Sequence, residues 1–283
     1  CYGCRVIKGG LIIENYSDTG AGISVDQSSP YMNNLTMVGN TADSISSALN
    51  ISGGSAPILI NSVLWNNSPR EISFPQNNDP STIEILYCDL RGGQESIITN
   101  DNGTVIWGEG NIDVDPMFWN TTNGDYNLLP DSRLIDAGHP EETDADGTRK
   151  DIGAFYYDQT GQPVRVKNIT TTPSANNIAL KWPANEESDL AGYNIYRSTD
   201  PNVYWYYISQ YATSADSFYV DEGVEENTTY HYRVAAVDGG GDEGLLAYDR
   251  HGRTGADTTS LQFSDNDVWA SGVPPSEILV FDE

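Results

Sequence analysis

The first half of the chain repeats the stretch Met32-Asn33-Asn34-Leu35-Thr36-Met37-Val38-Gly39-Asn40. Related stretches begin at Leu59 and at Ile85, and a degraded earlier copy runs from Ile7 to Asn15. Successive copies start about 25 to 27 residues apart, a period typical of a solenoid in which each repeat forms one turn. The repeats therefore predict a coil of about four turns.

The spacing also predicts which side chains stack inside this coil. Aligning the repeats gives two apolar columns and a third column of small or apolar groups, and all three should point inward. The columns are Ile7, Met32, Leu59 and Ile85; Ile12, Met37, Leu64 and Leu90; and Gly10, Leu35, Ser62 and Cys88.

A second short strand is expected before each later repeat, at residues 22–25, 48–51 and 71–74. Asn34 recurs as Asn61, and Asn40 recurs as Asn67. Asparagine tolerates left-handed backbone and can hydrogen-bond its equivalent about 4.8 Å away on the next turn. The combination is typical of a right-handed parallel β-helix.

Composition limits the classes of partner. The chain has 283 residues and a net charge of −27, with 41 acidic and 14 basic side chains. Such a field repels nucleic acid and anionic membranes and favours solubility and divalent cations. Because no apolar run approaches about 18 residues, we expect no membrane insertion. The acidity indicates either a solvated exterior or specific cation sites.

The stretch after the coil contains Asp115-Pro116-Met117-Phe118, Gly124-Asp125-Tyr126-Asn127-Leu128, Ile135-Asp136-Ala137-Gly138 and Asp151-Ile152-Gly153-Ala154-Phe155-Tyr156. These motifs resemble the closing module of bacterial secreted β-helix proteins of the broad pectate-lyase-like superfamily. The resemblance covers roughly residues 5 to 157 and is most specific in its second half. Gly10 departs from it, because that family usually has an aromatic residue there.

Beyond Pro163 the pattern changes to short alternating strands, as expected of a β-sandwich. Residues 163–249 resemble a fibronectin type III domain, with Trp182 as its core tryptophan and Tyr230 as its tyrosine-corner residue. The expected strands cover residues 164–169, 177–182, 192–197, 204–209, 217–220, 230–237 and 244–248. The predicted organisation is a β-helix with closing module (1–160), a sandwich (161–250) and a C-terminal tail (251–283).

The clearest chemical signal is a group of alternating carboxylates at Asp144, Asp146 and Asp151 around Gly147. Carboxylates spaced in this way before a glycine turn can converge on one hard cation, so we predict a Ca²⁺ site here. The alternative is an acidic turn that satisfies its own backbone. Asp113, Asp115 and Asp125 form a second acidic group.

Catalytic constellations are weaker. A polysaccharide lyase needs acidic Ca²⁺ ligands and a basic proton acceptor, and the candidates are Asp89 and Glu84 with Arg91, and Glu71 with Arg70. Adjacent strand residues point to opposite faces, which argues against both sets. His139, His231 and His251 lie far apart in sequence, with no nucleophile in a recognisable frame. The residues leave the question of catalysis open, and we expect no enzyme.

Both ends of the sequence suggest contacts beyond the predicted domains. The coil starts almost at once, so either upstream turns or a partner should cover its first turn. At the other end, Ile278, Leu279, Val280 and Phe281 form a strand too short to stand alone, which needs an existing sheet edge. We therefore expect a head-to-tail homo-oligomer or filament, or a tail that folds back locally.

The leading hypothesis is a secreted or cell-surface structural protein that acts in adhesion, a matrix or a filament. The alternatives are a carbohydrate-active enzyme and a non-catalytic polysaccharide-binding protein that uses outward Tyr and Trp side chains.

Overall fold

The computed structural model describes residues 5–18, 22–43, 48–76, 79–248 and 250–254. These residues form two compact units, 5–158 and 159–254. Both units are built of β-strands, and the helices among the described residues are three 3₁₀ turns, Gln94–Ser96, Thr121–Asn123 and Trp205–Tyr207. None of the helices in this part of the chain is long and apolar enough to cross a membrane. The predicted all-β architecture, a parallel β-helix followed by a fibronectin type III-like sandwich, is confirmed.

The first unit contains fourteen of the described strands. They are β1 (Val6–Ile13), β2 (Tyr16–Ser17), β3 (Ile23–Asp26), β4 (Tyr31–Val38), β5 (Thr41–Ala42), β6 (Leu49–Ser52), β7 (Ile58–Ile60), β8 (Val63–Trp65), β9 (Ile72–Ser73), β10 (Ser81–Leu86), β11 (Asp89–Leu90), β12 (Gly103–Trp107), β13 (Phe118–Asn120) and β14 (Asp125–Leu128).

Parallel pairing of these strands reproduces the predicted repeat register. Met32 pairs with Ile7 on one side and with Leu59 on the other, and Leu59 pairs with Ile85. The second column is likewise in register, as Ile12–Met37–Leu64–Leu90. A second parallel sheet, β3-β6-β9, contains the predicted shorter strands. The repeats are therefore successive turns of one coil.

The coil interior is the apolar core of this unit. Met37, Leu64, Leu90 and Cys88 are fully buried in it, while Ile12 packs against it with partial exposure. Cys88 is an unpaired thiol, and burial raises its pKa to about 12. The inward orientation predicted for the three columns is confirmed, with Ile7, Gly10 and Ile12 of the first turn partly exposed.

A line of asparagines joins successive turns. Asn15 Nδ2 donates to Asn40 Oδ1 at 2.8 Å, and Asn40 Nδ2 donates to Asn67 Oδ1 at 2.7 Å. Asn67 Nδ2 in turn donates to Glu71 Oε2 at 2.5 Å. The expectation that Asn40 and Asn67 bond across turns is confirmed, and the ladder also includes Asn15 and ends on a carboxylate.

The second unit contains the strands β15 (Thr170–Pro173), β16 (Ile178–Lys181), β17 (Leu190–Ser198), β18 (Ala212–Ser214), β19 (Phe218–Asp221), β20 (Thr229–Asp238) and β21 (Arg250–Arg253). They form two antiparallel sheets in the orders β15-β16-β19 and β18-β17-β20-β21. The sheets enclose a core in which Trp182 packs edge-on against Tyr193, with ring centroids 5.1 Å apart. Tyr230 Oη accepts a hydrogen bond from the Glu225 N–H at 2.9 Å, so the predicted tyrosine corner is confirmed.

Five details of the sandwich differ from the expected strands. Residues 164–169 are not a strand, and the first strand is Thr170–Pro173. Residues 204–209 form a 3₁₀ turn at Trp205–Tyr207 in place of a strand. Residues 244–248 make only single backbone bonds to β20, and the last described strand, Arg250–Arg253, crosses the expected sandwich limit at residue 250. The short β18 was not expected. Ile278, Leu279, Val280 and Phe281 lie outside the described residues.

Candidate functional site

The segment after the coil docks on the turns that carry Asn34 and Asn61. Asn34 Nδ2 donates to the carbonyl oxygens of Asp151 and Gly153, at 3.3 and 2.9 Å. Asn61 Oδ1 accepts from the His139 N–H at 2.7 Å, and its carbonyl accepts from the Gly153 N–H at 2.8 Å. Residues 134–157, here called the closing segment, are thereby tied to two turns of the coil.

Asparagine is suited to this role because both positions have left-handed backbone, with φ of 53° at Asn34 and 48° at Asn61. The two amides were expected to bond one another across turns. Instead, their described hydrogen bonds include contacts with the closing segment, because that segment offers backbone partners beside them.

The three predicted metal ligands lie in this closing segment. Asp144 Oδ1 accepts from Lys150 Nζ at 2.6 Å, and Asp144 Oδ2 accepts from the Asp151 N–H at 2.7 Å. Asp146 Oδ1 accepts from the Thr148 N–H and hydroxyl, at 3.0 and 2.8 Å. The carboxylates thus close their own turn.

Asp151 is the most deeply placed of the three, at 1% exposure. Its oxygens accept from the Asp136 and Tyr157 N–H groups, each at 2.7 Å. Burial raises the pKa of Asp151 to about 7, and these two hydrogen bonds oppose the rise. A carboxyl group of this kind takes up a proton near neutrality.

Asp144 and Asp151 line a small cleft of about 140 Å³, together with Lys8, Asn34 and Lys150. Asp146 faces Thr148 and does not line the cleft. The Oδ1 of Asn34 is buried there without a hydrogen-bond partner among the described atoms. The cleft thus joins two predicted ligands to an amide oxygen, and oxygens of both types are ligands for Ca²⁺.

No group of three or more His, Cys, Asp or Glu side chains within the described ranges is arranged to hold a metal ion. The Ca²⁺ site therefore stays a prediction, in which Asn34 Oδ1 joins Asp144 and Asp151. A cation would have to displace the Lys150 ammonium from Asp144.

We expect Ca²⁺ to raise the melting temperature of the first unit. Ligand at ten times its Kd stabilises the native state by about 1.4 kcal/mol. Scanning calorimetry with millimolar CaCl₂ and with EDTA measures the shift. Asp151→Asn should lose it, and Asp101→Asn, an exposed control, should keep it. An unchanged melting curve of the wild type would discard the site.

The lyase candidates lie in different surroundings. Asp89 is fully buried, and its Oδ1 accepts from the Val114 N–H at 3.1 Å. Burial raises the pKa of Asp89 well above its usual range. Glu71 is 4% exposed and is the acceptor that ends the asparagine ladder. Neither carboxylate is positioned to touch a polymer.

The basic partners of these acids lie at the surface. Arg91 hydrogen-bonds to Asn66 Oδ1 and stands 5.8 Å from the ring centre of Trp65, and Arg70 is exposed.

In the second acidic group, Asp115 accepts from the Met117 N–H, and Asp125 accepts from the backbone and side chain of Asn127. The structure therefore gives Asp115 and Asp125 turn-forming roles.

Sequence reasoning missed Glu142. Its Oε2 accepts from the Nδ2 atoms of Asn33 and Asn61, both at 3.3 Å, and so bridges two turns of the coil. The partners are 109 and 81 residues away in the chain, so no local pattern could have indicated the contact.

No protein-family model matches the chain, and no curated protein matches it. Solved structures similar to part of it include an Fn3-like protein from Clostridium thermocellum, with 25% identity and a TM-score of 0.29 over 34% of this chain and 97% of that one. The FN1-FN3 domains of chicken CNTN1 have 18% identity and a TM-score of 0.29 over 32% of each chain. A β-1,2-glucanase from Parabacteroides distasonis has 22% identity and a TM-score of 0.27 over 40% of this chain and 15% of that one. At these TM-scores the similarities carry no functional argument.

Proposed function

We propose that the chain is a structural component of an extracellular or cell-surface assembly, in which β-helix units associate head to tail. The observation that carries the proposal is the state of the two terminal strands of the coil. Among the described residues, β1 pairs only with β4, and β12 pairs only with β10. Within that part of the chain, each of these strands therefore has one edge with no described partner, where a further turn would pair.

The core reaches both of these terminal turns. Ile7 and Ile12 on β1, and Val105 and Trp107 on β12, pack against the buried core while staying partly exposed. One more turn at either end would complete their burial, as each inner turn does for its neighbour. A second copy of the chain has turns of the required width and register.

The direction of the free backbone groups is given by the hydrogen bonds of β1. The Tyr31 N–H donates to the Arg5 carbonyl at 3.0 Å, so Arg5 faces β4. In a parallel strand, each residue directs both its N–H and its C=O to one edge, and the next residue directs both groups to the other edge. Val6 therefore faces the other edge, and its side chain is 62% exposed.

The finer features follow as proposals from the sequence. The motifs of the closing segment support membership of the pectate-lyase-like superfamily, a bacterial source and secretion. The net charge of −27 suits a protein that stays soluble at an exterior surface. The tail residues Ile278, Leu279, Val280 and Phe281 are a second candidate connector.

A polysaccharide lyase or other carbohydrate-active enzyme is the alternative. Burial of Asp89 and Glu71 weighs against it, because a catalytic group must reach the proton that it transfers. Incubation with uronate polysaccharides and Ca²⁺ separates the two, since unsaturated products would favour the enzyme.

The test of assembly changes one backbone donor at the coil end. Val6→Pro removes an N–H from the free edge of β1, and Val6→Thr keeps it as the matched control. We expect the wild type and Val6→Thr to form particles that grow with concentration, measured by light scattering and electron microscopy. Val6→Pro should stay a single chain with an unchanged melting temperature.

A companion variant lacks residues 273–283. Loss of particles in this variant alone would assign the connection to the tail and remove the stacked coil ends from the proposal. A wild-type chain that stays monomeric at high concentration would contradict self-association by either route.

A further inference from the structure

One stretch of the sandwich lacks charge altogether. Residues 201–215, between Asp200 and Asp216, contain no Asp, Glu, Lys, Arg or His, in a chain that is 19% charged. The same stretch contains Tyr204, Trp205, Tyr206 and Tyr207 in succession. We call Tyr204, Tyr206 and Tyr207 the tyrosine turn.

The tyrosine turn is fixed in place by the residue between its members. Trp205 is 3% exposed and packs with Tyr196 and Ala235 on one face of the β18-β17-β20-β21 sheet. The guanidinium of Arg233 lies 5.2 Å from its ring centre. The Tyr207 N–H donates to the Tyr204 carbonyl at 3.0 Å and closes the 3₁₀ turn. An anchored turn presents its side chains with little freedom to lose on binding.

The three tyrosines point away from this anchor. Tyr204 is 56%, Tyr206 44% and Tyr207 75% exposed. Tyr204 precedes the 3₁₀ turn with extended backbone, and Tyr206 and Tyr207 lie within the turn. Tyr206 meets Tyr207 edge-on, with ring centroids 5.1 Å apart, and so holds the ring of Tyr207 in orientation. Such a cluster is larger than the singly scattered apolar residues of an ordinary surface.

We propose that the tyrosine turn binds a neutral glycan. A pyranose ring offers an apolar C–H face to an aromatic ring and hydroxyls around its rim, and tyrosine matches both with one rigid side chain. Uncharged polar side chains for the hydroxyls lie on the same stretch, at Asn202, Ser209 and Gln210, all exposed.

Charge selects among glycans. The chain as a whole carries −27, so a polyanionic glycan is repelled, whereas a neutral one meets a surface stretch that adds no charge of its own. A basic protein segment would be drawn to the 41 acidic side chains elsewhere in the chain in preference to this uncharged stretch. The site is independent of the coil ends, so it does not rest on the head-to-tail assembly.

The experiment uses the full chain, fluorescently labelled, on a printed array of neutral and acidic glycans. Binding to the best neutral polysaccharide is then quantified by affinity electrophoresis, with polygalacturonate as the acidic comparison. We expect retention on neutral glycans and none on polygalacturonate. Tyr207→Ala should weaken binding about tenfold or more, and Tyr207→Trp should retain it. Phe218→Ala, which removes a 53% exposed aromatic from the other sheet, is the matched control and should bind as the wild type.

Three results would overturn the proposal. They are the absence of binding to any neutral glycan, equal binding by Tyr207→Ala and the wild type, and a preference for polygalacturonate. Particle size of Tyr207→Ala is measured without glycan, and smaller particles would assign the tyrosine turn to contacts between copies instead. Failure of self-assembly in the wild type would leave glycan binding untouched.

Discussion

Replacement of Asp221 by alanine is expected to destabilise the sandwich by about 3–5 kcal/mol, because the change leaves a buried ion pair without one partner. Asp221 is fully buried at the end of β19. Its Oδ2 accepts from Arg197 Nη1 at 2.8 Å and from Tyr232 Oη at 2.7 Å. Its Oδ1 accepts from Tyr211 Oη and from the Gly223 N–H, both at 2.9 Å.

The same contacts set the ionisation of Asp221. Burial by itself raises the pKa of Asp221, but the hydrogen bonds from Arg197, Tyr232 and Tyr211 outweigh it and hold the pKa below its usual value. The stability contributed by the charge is present above the unfolded-state pKa and is lost as the pH falls through the folded value. The effect of the substitution should therefore be largest near neutral pH.

Chemical denaturation, together with calorimetry, measures the loss in the free energy of unfolding that Asp221→Ala causes. Tyr232→Phe is the informative control, since it removes one donor and leaves the carboxylate with three. That change should cost about 0.5–1.5 kcal/mol, as for one hydrogen bond. If Asp221→Ala lowers the free energy of unfolding no more than Tyr232→Phe does, the four hydrogen bonds to Asp221 do not stabilise the sandwich together.

Acidification from pH 7 to pH 5 is expected to stabilise the β-helix unit. Burial raises the pKa of Glu71 from 4.5, and that of Asp151 from 3.8, to about 7 in each case. Between the unfolded and folded values the native state holds a proton that the unfolded state has lost, so stability falls as pH rises. Each group contributes about 1.4 kcal/mol per pH unit across that window.

Melting temperatures between pH 5 and pH 8, at constant ionic strength, measure this dependence. Glu71→Gln and Asp151→Asn should each reduce the slope of melting temperature against pH by the contribution of one carboxyl group, because the substituted amide does not titrate in this range. Asp101→Asn, at the surface, should leave the slope unchanged. A slope that survives in the double variant Glu71→Gln/Asp151→Asn would have to come from other carboxyl groups, such as Asp89, whose pKa burial also raises, or from general charge repulsion.

The coil was predictable because its columns repeat at one spacing. Met32, Leu59 and Ile85 occupy equivalent places, so one alignment gives both the register and the inward face. The asparagine ladder followed from the same alignment. Glu71 was not predicted as its end, because it lies four residues after Asn67 and so does not occupy the repeat position of the ladder.

The sandwich was less predictable in detail because tertiary contacts override local pattern. Val166 and Ile169 are buried in the core, yet the first paired strand begins only at Thr170. Leu245 and Ala247 alternate in burial like a strand, but the strand follows at Arg250. At Trp205 the aromatic run indicated a strand, whereas burial of one indole against the outer sheet face favours a turn.

For the predicted Ca²⁺ site, the sequence indicated the acidic residues but not the partners that surround them. Alternation identified Asp144, Asp146 and Asp151, but not the opposing Lys150 or the distant Asn34 that share the cleft. Such partners are set by how the closing segment docks, which no spacing rule describes.

The asparagine ladder has a further consequence for symmetry. The side-chain-to-side-chain bonds of the ladder run in one sense, from Asn15 to Asn40, to Asn67 and to Glu71, and the strands of the coil are parallel, so the coil has two unlike ends. Contact between unlike ends is heterologous, and a translation along one axis never brings the last copy back to the first. An assembly built in this way has no fixed number of members. Its length distribution is set by protein concentration and by whatever caps the ends.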